Sequence, residues 1–238
     1  MILIHPSIDP VIFSFSGIEI RWYGLSYVLG FIIGIYYIKY LNKFSHKTLK
    51  NKIIDNLFIW SVIGVILGGR IGYILFYQTN MLFINPLQIL YIWKGGMSFH
   101  GGLIGLIISI YFFCKKNSVD FYQISDFVSC AAPIGLFFGR IANFINVELY
   151  GRVTEFHFAM IYPTIDNQHR HPSQIYEALL EGLFLFLILN YLFFKKQLGY
   201  TTSLFLILYG IFRILIEFIR EPDAHIGYFL NFFTLGQL

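Results

Sequence analysis

Residues Asp55 to Tyr77 read DNLFIWSVIGVILGGRIGYILFY, a 23-residue run whose only charges are Asp55 at its start and Arg70 deep inside. About 20 apolar residues suffice to cross the hydrocarbon core of a bilayer as a helix, so this stretch is predicted to span a membrane. Five more windows qualify: Trp22 to Leu41, Met97 to Cys114, Phe121 to Phe138, Ala178 to Phe194 and Tyr200 to Ile219. The 238-residue chain is 57% hydrophobic and only 13% charged, whereas soluble domains carry about 25% charge. A soluble domain is excluded. So is a nucleic-acid binder, because the net charge of +4 is thinly spread. The expected fold is all-α: a single transmembrane domain over residues 1–238, a polytopic helical bundle with about six visible spans and a small outer segment at 140–177. The first apolar run begins at Trp22, too far in and too long for a cleavable signal peptide. Val11 to Trp22 alternates apolar and polar residues and reads as an interfacial arm. Cys114 and Cys130 fall in apolar segments and suggest neither a disulfide framework nor a metal site.

Basic residues orient the bundle. Lys39, Lys43, Lys47, Lys50 and Lys52 follow the first span, Lys115 and Lys116 the third, and Lys195 and Lys196 the fifth. By the positive-inside rule those loops are cytoplasmic, which puts the N-terminus on the outer side; only Lys94 breaks the pattern. The arginines do the opposite. Arg21, Arg140, Arg152, Arg170 and Arg220 lie at or beyond outer helix ends, and Arg70 and Arg213 lie within spans, toward their outer halves. An arginine inside a span costs at least about 2.5 kcal/mol, so each is a functional-site hypothesis by default.

Four features gather at the outer side. The segment from Gly139 through Arg140, Asn143, Asn146 and Glu148 to Gly151 follows the fourth span and combines a guanidinium, two amides and a carboxylate between glycines. An interfacial turn with a snorkelling Arg140 fits the same residues. Gly95-Gly96-Met97-Ser98-Phe99-His100-Gly101-Gly102 opens the third span. His100 there is a candidate base or a hydrogen-bonded packing residue. Tyr209, Arg213 and Glu217 share one face of the sixth span, as an anion site or as a self-neutralised pair. Arg170 to Glu177 leads into the fifth span, with Pro172 suited to its first turn. Glycines at four-residue spacing, including Gly64, Gly68, Gly72, Gly101 and Gly105, are read as close helix packing. Together these residues outline an apolar-walled pocket with fixed guanidinium groups, suited to a lipid phosphate.

The motifs resemble those of the prolipoprotein diacylglyceryl transferase family over essentially the whole chain. They are Asp9 to Ser14, Trp22-Tyr23-Gly24, Gly68 to Tyr73, the His100 segment, the Arg140 segment, Arg170 to Glu177, Tyr209-Gly210 with Arg213, and Arg220-Glu221-Pro222-Asp223. The resemblance implies an enzyme of the bacterial inner membrane, multi-pass, with a periplasmic N-terminus, a periplasmic segment at 140–177 and an active site toward the periplasmic face. It implies transfer of the diacylglyceryl group of phosphatidylglycerol to the lipobox cysteine of a prolipoprotein signal peptide, forming a thioether and releasing glycerol phosphate, without metal or cofactor. It further implies His100, Arg140 and Arg213 as catalytic, with Tyr23, Arg70, Arg140, Asn143, Glu148, Gly151, Tyr209 and Glu217 binding phosphatidylglycerol. Two departures stand out. Ala142 replaces a usual glycine, and relatives carry a seventh span after the Gly236-Gln237 position. Other readings of the same residues are a transporter or lipid permease, a non-catalytic assembly factor, and an inactive truncated relative.

Overall fold

The computed structural model describes residues 3–15, 18–45, 47–79, 96–195 and 197–222. Lys94, Gly95, Lys196, Asp223 and Gly236-Gln237, named above, lie outside these. Among the described residues, six helices are long and apolar enough to cross a membrane: α1 (Trp22–Asn42), α2 (Asn51–Tyr77), α3 (Phe99–Asn117), α4 (Phe121–Ile145), α5 (Ser173–Phe193) and α6 (Tyr200–Glu217). Two small sheets accompany them. Strand β1 (Leu3–Ile4) pairs parallel with β4 (Met160–Ile161), which pairs antiparallel with β5 (His169–Arg170). Strands β2 (Val11–Phe15) and β3 (Ile18–Arg21) form a hairpin that runs directly into α1. The segment read as an interfacial arm is this hairpin, whose alternation of residues is the period of a strand.

Two helix boundaries correct the hydropathy windows. Helix α4 continues seven residues past Phe138, so Arg140 and Asn143 sit in its last turns and not in a turn after it. Helix α5 starts at Ser173, just after Pro172, and takes Gln174 and Glu177 into the helix. Hydropathy stops at the first polar residues, whereas helical hydrogen bonding does not. Within α5 the stretch Ala178–Phe184 widens to a π-helical turn, a geometry frequent at functional sites.

The chain forms two compact units, residues 1–38 with 128–238, and residues 39–127. In the second unit, α2 and α3 approach through glycines. A Cβ on Gly68 would lie 2.4 Å from the Gly101 carbonyl oxygen, and one on Gly105 would lie 2.2 Å from that of Gly64. No side chain fits there, as expected for small-residue helix packing. Beside the glycine row of α2, Ile59, Ile63, Leu67, Ile71 and Leu75 form a half-exposed stripe at four-residue spacing, an apolar surface suited to lipid. In the first unit, α1 meets α4 at Gly30, where a Cβ would lie 3.0 Å from the Cα of Gly135. A hydrogen bond from the Tyr37 hydroxyl to Asn190 Oδ1 (2.7 Å) joins α1 to α5.

Candidate active site

Arg140 and Asn143, three residues apart, share a face of α4. The helix ends in a Schellman motif: the Glu148 amide donates to the Asn143 carbonyl (2.9 Å) and the Val147 amide to that of Phe144 (3.1 Å). The left-handed position of such a motif is usually glycine. Here it is Val147 at φ 58°, a strained conformation for a β-branched residue. The turn brings Glu148 back over the helix, where Asn143 Nδ2 donates to Glu148 Oε2 at 3.0 Å. Helix α5 fastens the same turn. Gln174 Nε2 donates to the Glu148 carbonyl (2.6 Å), Ser173 Oγ to that of Leu149 (2.7 Å), and the buried Tyr162 hydroxyl to Gln174 Oε1 (3.0 Å).

Gly151 is clamped between two segments. Its amide donates to the His171 carbonyl (2.9 Å), and a Cβ there would lie 2.5 Å from His171 and 2.9 Å from the Ile219 carbonyl oxygen. Beside it, Arg170 holds Asp166 through Nε and Nη2, reaches the Gly151 carbonyl (3.1 Å), and lies over the Tyr150 ring. That pairing keeps the Asp166 carboxyl below the usual range.

The central feature is a buried ladder of alternating charge. Arg140 Nη2 donates to Glu181 Oε2 (3.0 Å), and Arg140 Nη1 lies 2.9 Å from Glu177 Oε2. Glu177 Oε1 accepts from Arg213 Nη1 (3.0 Å), Arg213 Nη2 pairs with Glu217, and Glu217 Oε1 also accepts from Arg220 Nη1 (2.9 Å). Three arginines face three glutamates, so their formal charges cancel, as burial in a low-dielectric span requires. Their exposure is unequal. The Arg140 and Arg213 side chains keep 15% of their surface, while Glu177 and Glu181 keep none. The arginine side chains, and not these two carboxylates, thus retain accessible surface. Each guanidinium has five N–H donors, so donor capacity remains on both arginines for a bidentate anion.

Tyr209, one turn before Arg213 on α6, lies within electrostatic range of Glu181, Arg140, Arg213 and Glu177. Tyr23, at the start of α1, is bonded to the Tyr27 hydroxyl (3.1 Å) and is within electrostatic range of Glu148 and Arg140. The first unit thus gathers Tyr23, Arg140, Asn143, Glu148, Gly151, Tyr209, Arg213 and Glu217. Arg70 and His100 belong to the second unit. Buried Arg70 donates through Nη1 to the Gly96 carbonyl (3.1 Å) and lies 5.8 Å from the Tyr73 ring centroid. His100, in the first turn of α3, is exposed and meets the Phe99 ring edge-on. Ser98 caps that helix, its Oγ accepting from the Gly101 amide.

The hydropathy and motif reading passed over Glu177 as part of a capping segment and did not single out Glu181 or pair Arg220. A signal for Glu181 was present: an acidic residue inside an apolar window carries the same insertion penalty that marked the arginines.

The family model described as prolipoprotein diacylglyceryl transferase matches residues 10–238. Similar relatives include the phosphatidylglycerol–prolipoprotein diacylglyceryl transferase of Rickettsia typhi, 48% identical over 99% of this chain and 93% of the relative. Those of Rickettsia rickettsii and Rickettsia bellii are each 49% identical over 98% of this chain, covering 92% and 90% of the relative.

Proposed function

The chain belongs to the prolipoprotein diacylglyceryl transferase family, and from that premise we propose that it transfers the diacylglyceryl group of phosphatidylglycerol to the thiol of a prolipoprotein's lipobox cysteine. This is the first step of lipoprotein maturation. The reading locates the protein in a bacterial inner membrane with a periplasmic N-terminus and the reaction at the periplasmic face. The lysine-rich loops after the first, third and fifth spans support that orientation.

The single observation that carries the reading is the exposure pattern of the ladder: the Arg140 and Arg213 side chains partly accessible, the Glu177 and Glu181 carboxylates sealed. A phosphodiester with one negative charge fits such a pair. In the proposed reaction the thiol gives its proton to His100 and the sulfur attacks the glyceryl carbon. The carbon–oxygen bond to phosphate breaks, its electron pair leaving on the phosphate oxygen, to give a thioether and glycerol phosphate. A thiol with a pKa of about 8.5 is only a few per cent ionised near neutrality, which is why a base accelerates attack. Charge grows on the departing phosphate, so Arg140 and Arg213 bind the transition state more tightly than the substrate. Tyr23, Asn143 and Tyr209 position headgroup oxygens, Glu148 and Gly151 stand in the turn that follows Asn143, and Glu217 holds Arg213. Family membership sets aside the transporter reading.

The test is to incubate the purified protein with phosphatidylglycerol and a lipobox peptide and to weigh the peptide by mass spectrometry. The reading expects a diacylglyceryl adduct that disappears when the peptide cysteine is serine. Absence of the adduct with folded protein contradicts it.

A further inference from the structure

Among the ladder residues, Glu177 alone touches both Arg140 and Arg213. Its Oε1 accepts from Arg213 Nη1 at 3.0 Å and its Oε2 lies 2.9 Å from Arg140 Nη1, while its side chain is wholly buried. The two arginines stand on different helices, α4 and α6, and Glu177 stands on a third, α5, where its helical turn meets the π-helical one. We propose that Glu177 is a positioning residue, one carboxylate that ties the two guanidinium groups into a single rigid anion cradle. It never touches substrate. This inference rests on the phosphate-clamp reading and adds to it the element that sets the spacing of the clamp.

Two consequences separate positioning from binding. Without the carboxylate the arginines lose their common anchor and one of the three carboxylates that compensate them. The site then carries an extra net positive charge, which favours an anionic lipid in the ground state, while the alignment needed in the transition state is lost. Catalysis falls without any loss of substrate affinity.

The test measures kcat and the KM for phosphatidylglycerol in nanodiscs at saturating lipobox peptide, for the wild type, Glu177→Gln and Glu177→Asp. Glu177→Gln is expected to lower kcat about 100-fold with a KM no higher than the wild type's. Glu177→Asp restores the charge with shorter reach and is expected to recover about tenfold over Gln. A kcat for Gln within about threefold of wild type, a KM that rises in step with the loss, or an Asp variant no better than Gln overturns the proposal. Should Glu177→Gln fail to insert, Glu177→Asp decides alone: kcat about tenfold below wild type at unchanged KM supports positioning, and kcat within about threefold overturns it. Arg140→Gln and Arg213→Gln are run alongside. Retained transfer in those variants defeats the clamp itself; loss there with a fully active Glu177→Gln defeats only the role given to Glu177.

Discussion

Arg140 on α4 and Glu181 on α5 meet inside the protein, Arg140 Nη2 donating to Glu181 Oε2 at 3.0 Å. Either residue alone in a membrane span would cost about 2.5 kcal/mol or more. Paired, they join two helices and become part of a ladder in which the Arg140 and Arg213 side chains keep some accessible surface and Glu177 and Glu181 keep none. The same arrangement makes six largely buried charges tolerable.

Gly151 and Gly139 bracket the functional turn but are predicted to respond oppositely to alanine. Gly151→Ala drives a methyl to 2.5 Å from His171 and to 2.9 Å from the Ile219 carbonyl oxygen, a clash expected to cost about 1–3 kcal/mol. Gly139→Ala meets nothing within 4 Å and gains about 0.5–1 kcal/mol of helix propensity. Thermal unfolding in detergent reads both: Tm falls for the first and is unchanged or raised for the second.

Val147 occupies a left-handed position, φ 58°. Val147→Gly is expected to stabilise the protein by about 1 kcal/mol by relieving that strain. A lower Tm for this variant would show that the valine side chain contributes packing that outweighs its backbone cost.

His5 ties the N-terminal strand to the end of α4. Its Nε2 donates to the Phe144 carbonyl at 2.9 Å, and its Nδ1 accepts from the Ser7 amide at 3.0 Å, a pattern that only the neutral ring satisfies. Burial lowers its pKa from 6.5, and burial does the same to His171. In the unfolded chain both titrate near 6.5, so on acidification the unfolded state takes up protons first. Their stabilising effect is complete above about pH 6.5 and is lost as pH falls from there through the depressed folded values. Tm is therefore expected to drop between about pH 7.5 and about pH 5.5, with a shallower drop in His5→Phe. An unchanged slope in that variant would remove His5 from the account.

His100→Gln is expected to slow transfer, and raising the pH toward the thiol pKa of about 8.5 should partly restore the rate by ionising the cysteine without a base. A defect independent of pH would make His100 a positioning group.

Most of the fold was legible because lipid imposes a simple rule on composition. The six spans follow from runs of apolar residues, and the glycines of α2 and α3 pack as their four-residue spacing suggests. The ends of α4 and α5 were less legible. Arg140 and Asn143 look like surface residues to a hydropathy window, yet the helix carries them inside, where Glu177 and Glu181 neutralise Arg140. Choice of partner was the part that local sequence concealed. Arg213 and Glu217 are one turn apart and could be paired by spacing, whereas the bond from Arg213 to Glu177 joins residues 36 positions apart in the chain. The π-helical turn that follows Glu177 likewise leaves no mark in the residue pattern.

The central claim is that Arg140 and Arg213 hold the phosphate as charge develops on it. The most direct measurement is the initial rate at which Arg213→Gln, matched to wild type for membrane insertion and folding, forms the diacylglyceryl adduct on a lipobox peptide. The account predicts a loss of at least about 100-fold. A rate within about threefold of wild type would contradict it.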